Sequence, residues 1–514
     1  MIAPGLDASK TTIILGAAGC GKTTKLLGII EEALAAGIKP NRVGFISFTK
    51  KAVEEGKSRA CEKFGVPPED FPHFRTIHSL AFKQLGTRRD QVLGWRHLNE
   101  LGQMLGLEFK NQGSAAQDGE TYGMGTSDRM LFLEGLARTS MKPLRQVWND
   151  AMEDDISFEE LDRFSRAPSQ YTESRMLVDC TDLIGRLVAS DPRSLPQLDL
   201  LLVDEVQDTA PIQWRALEML ASNSKKVYCC GDDMQSIFSW SGADSRQFTA
   251  LPGKQITLEQ SYRLPASVHR LAESLSNRVQ EKRPRLSRPR DVEGVVNYCS
   301  SFEDVDIGSG EWLLLGRNSY MLVELEEWCL SQGFSFHSVG NDPLKSKSLV
   351  AIRAWENLRK GRDEPAEGVL AAAQLIPARW CPLALLKQLK ADEPEKTYDM
   401  PELVRLGLGT TAVWFEALTK ISPAERDYFL AARRRGESLL KKPRIRISTI
   451  HSAKGAEADN VMLLTDMSLR SYENAHNRTQ GAYEDEVKVF YVGATRARET
   501  LHIVQPRTNL YFVL

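Results

Sequence analysis

The 514-residue sequence lacks features that mark several classes of protein. It has no apolar run near the ~20 residues that a transmembrane helix needs. Its first ten residues, MIAPGLDASK, have neither the basic start nor the apolar core of a signal peptide. Its 8 cysteines include no C-x-x-C pair, which argues against a disulfide framework or a zinc ribbon. The sequence therefore predicts a reduced, cytoplasmic protein that makes no use of a membrane.

An excess of charge of one sign is also absent, since 66 Lys and Arg face 68 Asp and Glu for a net charge of −2. Any nucleic-acid partner would therefore be held by a local basic surface rather than by a global positive field. No internal repeat or low-complexity tract is present. The composition is that of a globular protein, and the length predicts about two to five domains at roughly 100–200 residues each.

Short buried-strand patterns alternate with helical patterns at both ends of the chain, which predicts parallel α/β layers. The predicted strands are Thr11–Leu15, Val43–Phe48, Leu198–Val203, Lys226–Cys230, Val461–Thr465 and Leu501–Val504. Residues ~90–190, with a polar loop at Asn111–Ser127, and residues ~345–440 lack strand signals and are rich in helix formers. Both segments are interpreted as helical insertions.

The sequence also contains two basic runs. Arg278–Arg290 is broken by Pro284 and Pro289, and Arg433–Arg446 is the densest basic run of the chain. We interpret each as a connector or a solvated face, with a specific phosphate contact as the alternative.

One motif predicts a nucleotide site. Gly16–Thr23 (GAAGCGKT) fits G-x-x-x-x-G-K-[ST] and lies between a predicted strand and a predicted helix. The glycines let backbone N–H groups point at phosphate oxygens, Lys22 supplies charge for the β- and γ-phosphates, and Thr23 supplies a Mg²⁺ ligand. The alternative is a structural glycine-rich turn, which the strand–turn–helix placement disfavours.

A second acidic site supports the same chemistry. Asp204 and Glu205 follow the apolar strand Leu198–Val203. At the end of a strand, Asp204 can hold Mg²⁺, and Glu205 can polarise a water for attack on the γ-phosphate. The alternative is a pair of surface acids. Together with the phosphate motif, the pair predicts an ATPase.

The segment Val203–Thr209 (VDEVQDT) resembles the D-E-x-Q-D box of superfamily 1 DNA helicases of the UvrD/Rep/PcrA type. Six further blocks resemble motifs of this family in the family's order. They are Phe48–Ala52, Phe74–Ser79, Gly231–Ala243, Leu258–Arg263, Ser448–Glu457 and Phe490–Arg498. The resemblance implies a compact member, of a size that would also suit a phage-encoded helicase.

The resemblance implies an α/β fold with two RecA-like parallel-sheet motor domains, each interrupted by a mostly helical insertion. The expected boundaries are residues 1–90 and 190–275 for the first motor domain, 91–189 for its insertion, 276–345 and 441–514 for the second motor domain, and 346–440 for its short insertion. ATP would be hydrolysed in the cleft between the motor domains.

Site roles are also implied by the resemblance. The expected catalytic residues are Glu205, Gln235, Arg263 and Arg496, with Arg496 acting as an arginine finger. The expected ATP-binding residues are Gly16, Gly19, Gly21, Lys22, Thr23, Thr24, Tyr262 and Glu457, where Tyr262 stacks on adenine, and Thr23 and Asp204 hold Mg²⁺. The expected DNA-binding residues are Phe48, Thr76, His78, Phe238, Trp240 and His451.

The implied function is ATP-dependent 3′→5′ movement on single-stranded DNA with unwinding of duplex DNA, in replication or repair. The expected partners are single-stranded DNA and single/double-strand junctions, and the expected state is a monomer in the cytoplasm, near the nucleoid or in a phage host. Two alternatives remain: a translocase that displaces proteins but unwinds weakly, and an ATP-switched binding module.

The sequence departs from the family pattern at four places. Met1–Lys10 lacks the Gln that reads adenine in the family, so base recognition would rest on Tyr262. Ser241 stands where the family has Arg, and Lys50 where it has Asn. Cys20 stands where the family has Ser, and an accessible thiolate there would make ATP hydrolysis sensitive to oxidation or alkylation.

Overall fold

The computed structural model describes residues 5–110, 124–151, 155–338, 342–438, 441–476 and 479–514. Most of the predicted polar loop Asn111–Ser127 therefore lies outside the described residues. The chain divides into two units. Unit 1 is Met1–Tyr298, Ile450–Glu457 and Leu463–Leu514, and unit 2 is Cys299–Thr449 and Ala458–Met462.

The elements are numbered in chain order. The strands are β1 (Thr11–Gly16), β2 (Val43–Ile46), β3 (Phe74–Arg75), β4 (Leu198–Val203), β5 (Ser224–Gly231), β6 (Lys254–Leu258), β7 (Val295–Cys299), β8 (Trp312–Gly316), β9 (Phe336–Ser338), β10 (Glu364–Pro365), β11 (Thr397–Tyr398), β12 (Ile445–Thr449), β13 (Ala458–Leu464) and β14 (Ala497–Val504). The helices are α1 (Lys22–Ala35), α2 (Lys50–Phe64), α3 (Ile77–Gln84), α4 (Trp95–Leu105), α5 (Thr126–Ser140), α6 (Leu144–Ala151), α7 (Phe158–Ser174), α8 (Cys180–Ala189), α9 (Pro211–Ser222), α10 (Ser245–Thr249), α11 (Ala266–Ser276), α12 (Leu322–Gln332), α13 (Lys347–Arg359), α14 (Ala366–Leu375), α15 (Leu383–Ala391), α16 (Met400–Arg405), α17 (Trp414–Ala417), α18 (Pro423–Arg435), α19 (Leu469–His476) and α20 (Gln480–Ala494).

Unit 1 contains a six-stranded sheet in the order β3-β2-β4-β5-β1-β6, and its neighbouring strands run parallel. In the register, Leu15 pairs with Gly231 and Val203 pairs with Cys229. The carboxyl ends of β1, β4 and β5 therefore meet at one edge of the sheet. Loops that follow parallel strands at such an edge form ligand sites in open α/β sheets.

Alternate residues of each central strand pack into different cores on the two faces of this sheet. In β1, Ile13 and Leu15 join one hydrophobic cluster, whereas Ile14 joins the other. In β4, Leu201 joins the first cluster and Leu202 the second. Burial on both faces explains why these strands read as continuous apolar runs in the sequence.

β2 is shorter than the predicted strand Val43–Phe48, since it ends at Ile46. The Thr49 side chain accepts a hydrogen bond from the backbone N–H of Ala52 and so caps α2 at its N-terminus. Phe48 consequently lies in the loop between strand and helix, with 36% of its surface exposed. The other predicted strands of unit 1 lie within β1, β4, β5 and β14.

The segment 91–189 is helical, as predicted, and its described residues contain no β-strand. Its helices α4 to α7 enclose a separate hydrophobic cluster that includes Leu133, Leu161 and Phe164. Helix α8 instead packs on the core beside the six-stranded sheet of unit 1 through Leu183 and Leu187.

Unit 2 contains parallel strands of a second six-stranded sheet, in which β12 lies between β8 and β9. Its helices α13 to α18 enclose a cluster around Trp355, Trp414 and Phe429. The segment 346–440 is mostly helical, as expected, but it also contains the short antiparallel pair of β10 and β11. The predicted α/β fold with two parallel sheets and helical segments is confirmed. Among the described residues, no helix is long and apolar enough to cross a membrane.

Candidate nucleotide site and aromatic row

The glycine-rich loop between β1 and α1 has the backbone that its sequence predicts. Gly19 and Gly21 adopt positive φ angles of 73° and 76°, which disfavour any residue with a Cβ atom. A Cβ on Gly19 would also lie 2.3 Å from the Cβ atom of Arg263. Lys22 donates from Nζ to the carbonyl of Gly16 at 3.0 Å. The loop is thus closely packed around its own lysine, and Thr23 and Thr24 follow in the first turn of α1.

The predicted cation ligands lie side by side. The Thr23 hydroxyl donates to Oδ2 of Asp204 at 3.5 Å, although the two residues come from α1 and from the end of β4. Burial, together with the adjacent Glu205 charge, raises the pKa of Asp204 to about 7. A hydroxyl and a carboxylate are the oxygen ligands that Mg²⁺ prefers, so this pair fits the cation that the sequence predicts.

Glu205 adopts a left-handed backbone conformation with φ of 53°, which is uncommon for a residue other than glycine. Backbone strain of this kind collects at functional sites. The Glu205 carboxylate accepts a hydrogen bond from Nε2 of Gln207 at 2.5 Å. Burial alone would raise its pKa, but the charges of Lys454 and Lys22 hold the pKa of Glu205 below its ordinary value. Glu205 is therefore the carboxylate that is available to accept a proton.

Gln235 and Arg496, which the sequence places in separate blocks, are in direct contact. Nη2 of Arg496 donates to Oε1 of Gln235 at 3.2 Å, and its Nε donates to the carbonyl of Val492 at 2.9 Å. Only 1% of Arg496 is exposed. Burial, with help from the nearby Arg263 charge, lowers the pKa of Arg496 to about 9. A buried guanidinium that contacts neutral oxygens is well suited to stabilise a phosphate group.

The segment Ser261–Arg263 is bonded onto the glycine-rich loop. The Ser261 hydroxyl donates to the carbonyl of Ala18 at 2.8 Å, and the Tyr262 backbone N–H donates to the carbonyl of Gly19 at 2.8 Å. The Tyr262 ring lies next to the glycine loop and is 71% exposed, so its face is open to an aromatic base.

Arg263 and Glu457 form an ion pair with each other, with Nε 2.6 Å from Oε2. Arg263 also donates to the carbonyl of Thr495 at 3.3 Å. Arg263 and Glu457, which the resemblance assigns to catalysis and to ATP binding, are thus adjacent, and Arg263 also contacts the residue that precedes Arg496.

Four aromatic side chains form a continuous series that we call the aromatic row. They are Phe48, Phe238, Trp240 and Phe132. Phe48 stacks on Phe238 with ring centroids 5.6 Å apart, and Phe238 meets Trp240 edge to face at 6.2 Å. Trp240 in turn stacks on Phe132 at 6.5 Å. Phe132 belongs to α5 in the helical insertion and was not among the residues that the sequence predicts.

Two basic side chains flank this row. The His451 ring lies 6.3 Å from the Phe238 ring, and Nζ of Lys454 lies 5.1 Å from the centre of the same ring. Lys454 also forms an ion pair with Asp208 and donates to the carbonyl of Gln235 at 2.5 Å. Lys454 lies within a matched block, Ser448–Glu457, but no role was assigned to it from the sequence. It connects the nucleotide site with the aromatic row.

Among the described residues, no ring contact joins His78 to the aromatic row. The Thr76 hydroxyl accepts a hydrogen bond from the backbone N–H of Ser79 at 3.2 Å and caps α3. Burial lowers the pKa of His78, which keeps its imidazole neutral at pH 7. Their DNA-contacting roles stay predictions.

The interpretation of the two basic runs as solvated segments is wrong for the buried Arg285 and the partly buried Arg444, whereas Arg435 is exposed, as that interpretation expects. Arg285 is 8% exposed, and its Nη1 lies 2.5 Å from Oδ1 of Asp232 and 2.7 Å from Oδ1 of Asp233. In the second run, the guanidinium groups of Arg435 and Arg444 lie over the Phe334 ring at 3.9 and 5.5 Å. Buried acids and an aromatic ring, which the local sequence does not reveal, hold these side chains.

The expectation of a reactive Cys20 also fails. Cys20 is buried, and burial raises the pKa of its thiol, so a thiolate is disfavoured at neutral pH. A Cβ on Gly16 would lie 2.2 Å from the Cys20 sulfur, so this side chain fills the space beside Gly16.

The comparisons with known proteins agree with this geometry. Residues 5–254 match the family of the UvrD/REP helicase N-terminal domain, and residues 390–507 match that of the UvrD-like helicase C-terminal domain. The two matched segments contain the nucleotide-site residues described above except Ser261–Arg263.

Curated relatives are similar at low identity. The chain is 26% identical over 313 residues to the ATP-dependent DNA helicase Rep of Buchnera aphidicola subsp. Baizongia pistaciae, which covers 57% of this chain and 45% of that protein. It is 26% identical over 325 residues to DNA helicase II of Salmonella typhimurium, covering 57% of this chain and 42% of that protein. In both cases the chain spans less than half of the relative's length. A DNA helicase II homolog of Mycoplasma pneumoniae is 21% identical over 598 residues, covering 96% of this chain and 81% of that protein.

Proposed function

Because the chain belongs to the superfamily 1 helicases of the UvrD/Rep/PcrA type, we propose that it is an ATP-dependent DNA helicase that moves 3′→5′ on single-stranded DNA and unwinds duplex DNA. The observation that carries this proposal is the loop that follows β5. Within this one loop, Gln235 contacts Arg496, and Phe238 and Trp240 form the centre of the aromatic row. A shift of this loop therefore acts on the nucleotide site and on the proposed DNA surface together.

The residues of the nucleotide site have different roles in ATP hydrolysis. Backbone N–H groups of the glycine-rich loop and Lys22 bind the phosphates, and the open face of Tyr262 stacks on the adenine. Thr23 and Asp204 would hold Mg²⁺, which neutralises charge on the β- and γ-phosphates. Glu205 orients a water and accepts its proton, since its pKa keeps it ionised.

Arg263 and Arg496 stabilise the charge that develops on the transferred phosphoryl group. Arg496 is suited to this role because its guanidinium is buried and is held by Gln235 and by backbone carbonyls rather than by a carboxylate. In other phosphoryl-transfer enzymes, an arginine in this role contributes roughly 10³–10⁵ in turnover.

The aromatic row supplies the DNA surface. Stacking of bases on aromatic rings contributes about 1–3 kcal/mol per base and does not depend on sequence, which suits a motor that passes over any DNA. Phe132 extends the row from the motor sheet into the helical insertion, so we include it with Phe48, Phe238 and Trp240. The domain boundaries given above for the motor domains and insertions are part of the same proposal.

Tailed duplexes test direction and unwinding together. Duplex DNA with a 3′ or a 5′ single-stranded tail is incubated with the protein, ATP and Mg²⁺, and strand separation is measured. Unwinding from the 3′ tail alone supports the proposal. Unwinding from the 5′ tail contradicts the proposed direction. In a parallel assay, streptavidin is bound to biotin on the single-stranded tail, and its displacement without strand separation favours the weakly unwinding translocase.

A further inference from the structure

Arg285 lies far from the glycine-rich loop in sequence and in none of the helicase blocks, yet its side chain is almost fully buried. One of its nitrogens, Nη1, contacts a carboxylate oxygen of Asp232 and one of Asp233. Although burial disfavours a charged guanidinium, the two carboxylates raise the pKa of Arg285 above its ordinary value. Arg285 therefore stays charged and is held between two adjacent acids that immediately follow β5.

Asp232 links Arg285 to the catalytic arginine, Arg496, through Gln235. Its second oxygen, Oδ2, accepts a hydrogen bond from Nε2 of Gln235 at 2.6 Å. With its amide nitrogen held by Asp232, Gln235 presents Oε1 to Nη2 of Arg496 at 3.2 Å. The amide cannot flip without losing both contacts, because Asp232 accepts only from the nitrogen and Arg496 donates only to the oxygen. Asp232 thus determines which atom of Gln235 faces Arg496.

A second branch leads from Asp232 to the catalytic carboxylate, Glu205. The backbone N–H of Asp232 donates to Oε1 of Gln207 at 3.1 Å, and Nε2 of Gln207 donates to the Glu205 carboxylate. Gln207 is fully buried, so its amide orientation is also set by these two partners. Asp232 is therefore the common point of two hydrogen-bond paths, one to Arg496 and one to Glu205.

Arg285 stabilises the ionised form of Asp232. Asp232 is completely buried, and an isolated carboxylate in such a place would become protonated. Burial alone would raise the pKa of Asp232, but the charges of Arg285 and Lys22 hold it below the ordinary value. A protonated Asp232 would be a weaker acceptor, with one oxygen turned into an O–H donor, and would no longer fix the Gln235 amide in one orientation.

We propose that Arg285 is a positioning residue for ATP hydrolysis, which acts through Asp232 to orient Gln235 toward Arg496 and Gln207 toward Glu205. The inference rests on the proposed ATPase function. Arg285 donates to Asp232 and Asp233, and neither of these is among the residues assigned to ATP or to the attacking water. Its contribution lies in the turnover number rather than in the affinity for ATP or DNA.

Arg285→Lys tests this role, because lysine keeps the positive charge but its ammonium nitrogen ends one bond short of the position of Nη1, which contacts both carboxylates. Arg288→Lys is the matched control: Arg288 lies in the same connector, is 69% exposed and pairs with Glu259. We expect Arg285→Lys to lower kcat at least tenfold, with the Kd values for a fluorescent ATP analogue and for oligo(dT) within about threefold of wild type. Arg288→Lys should leave all three quantities unchanged.

A double-mutant cycle with Gln235→Ala separates positioning from general destabilisation. We expect the Gln235 branch to carry most of the effect, so adding Arg285→Lys to Gln235→Ala lowers kcat further by much less than tenfold, and the remaining loss is that of the branch through Gln207. Losses that multiply, or a kcat of folded Arg285→Lys equal to that of wild type, overturn the proposal.

Asp233→Asn provides a second variant should Arg285→Lys not fold, since it removes one partner of Arg285 and leaves Asp232 charged. We expect a smaller fall in kcat at unchanged ATP affinity, and an unchanged kcat overturns the proposal. Absence of ATPase activity in the wild-type protein would instead contradict the proposed function, and the two failures are thereby distinguished.

Discussion

Replacing Phe238 by alanine is expected to weaken binding of single-stranded DNA by about 30- to 140-fold. Phe238 lies in the middle of the aromatic row, in contact with the rings of Phe48 and Trp240. Its removal takes away one stacking face and the support of two others, so the upper half of the range of about 1–3 kcal/mol per base applies. At about 1.4 kcal/mol per tenfold change, 2–3 kcal/mol corresponds to that loss in affinity.

The assay is fluorescence anisotropy of labelled oligo(dT) at several salt concentrations. The Phe238 ring carries no charge, so Phe238→Ala should lower the affinity equally at each salt concentration and leave the slope of log K against log salt unchanged. Phe238→Tyr keeps the ring and should bind within about twofold of wild type. Tyr298→Ala removes an exposed aromatic outside the row and serves as the control. Wild-type affinity in Phe238→Ala, or a loss confined to the salt slope, would refute the stacking role.

Three further predictions concern the nucleotide site. Gly19→Ala should weaken binding of a fluorescent ATP analogue at least tenfold. The new Cβ would lie 2.3 Å from the Cβ atom of Arg263, on a residue with a left-handed backbone conformation. An unchanged Kd would contradict the close packing of the loop. Arg496→Lys should lower the steady-state ATPase kcat by roughly 10³ while ATP still binds. A loss below tenfold would contradict the proposal that Arg496 stabilises the transition state. Iodoacetamide at pH 7 should alkylate Cys20 much more slowly than Cys180, as measured by peptide mass spectrometry, because Cys20 is buried and Cys180 is exposed. Equal rates would show that Cys20 is accessible.

The sequence predicts the motor sheet of unit 1 well because its strands are buried on both faces. β1 and β4 appear as mostly apolar runs, and the structure places them within one residue of the predicted bounds. The end of β2 was missed because a cap at Thr49, which depends on local side-chain geometry, moves Phe48 out of the strand.

The nucleotide site was predictable where neighbouring residues carry the chemistry. The glycine-rich loop and the acids at the end of β4 are short contiguous patterns, each with its own physical meaning. Arg285 was not predictable, because a basic segment broken by prolines looks the same whether it is solvated or meets buried acids. Lys454 and Phe132 were missed for a related reason, since their partners Asp208 and Trp240 come from distant segments.

The most direct test of the proposed motor is the steady-state ATPase rate with and without saturating oligo(dT), for wild type and for Glu205→Gln. The glutamine variant keeps the shape of the site but cannot accept a proton from water. We expect oligo(dT) to raise the wild-type rate at least tenfold and Glu205→Gln to lose nearly all activity while still binding ATP and DNA. A wild-type rate indifferent to DNA, or a Glu205→Gln variant as active as wild type, would contradict the coupling of ATP hydrolysis to a DNA surface.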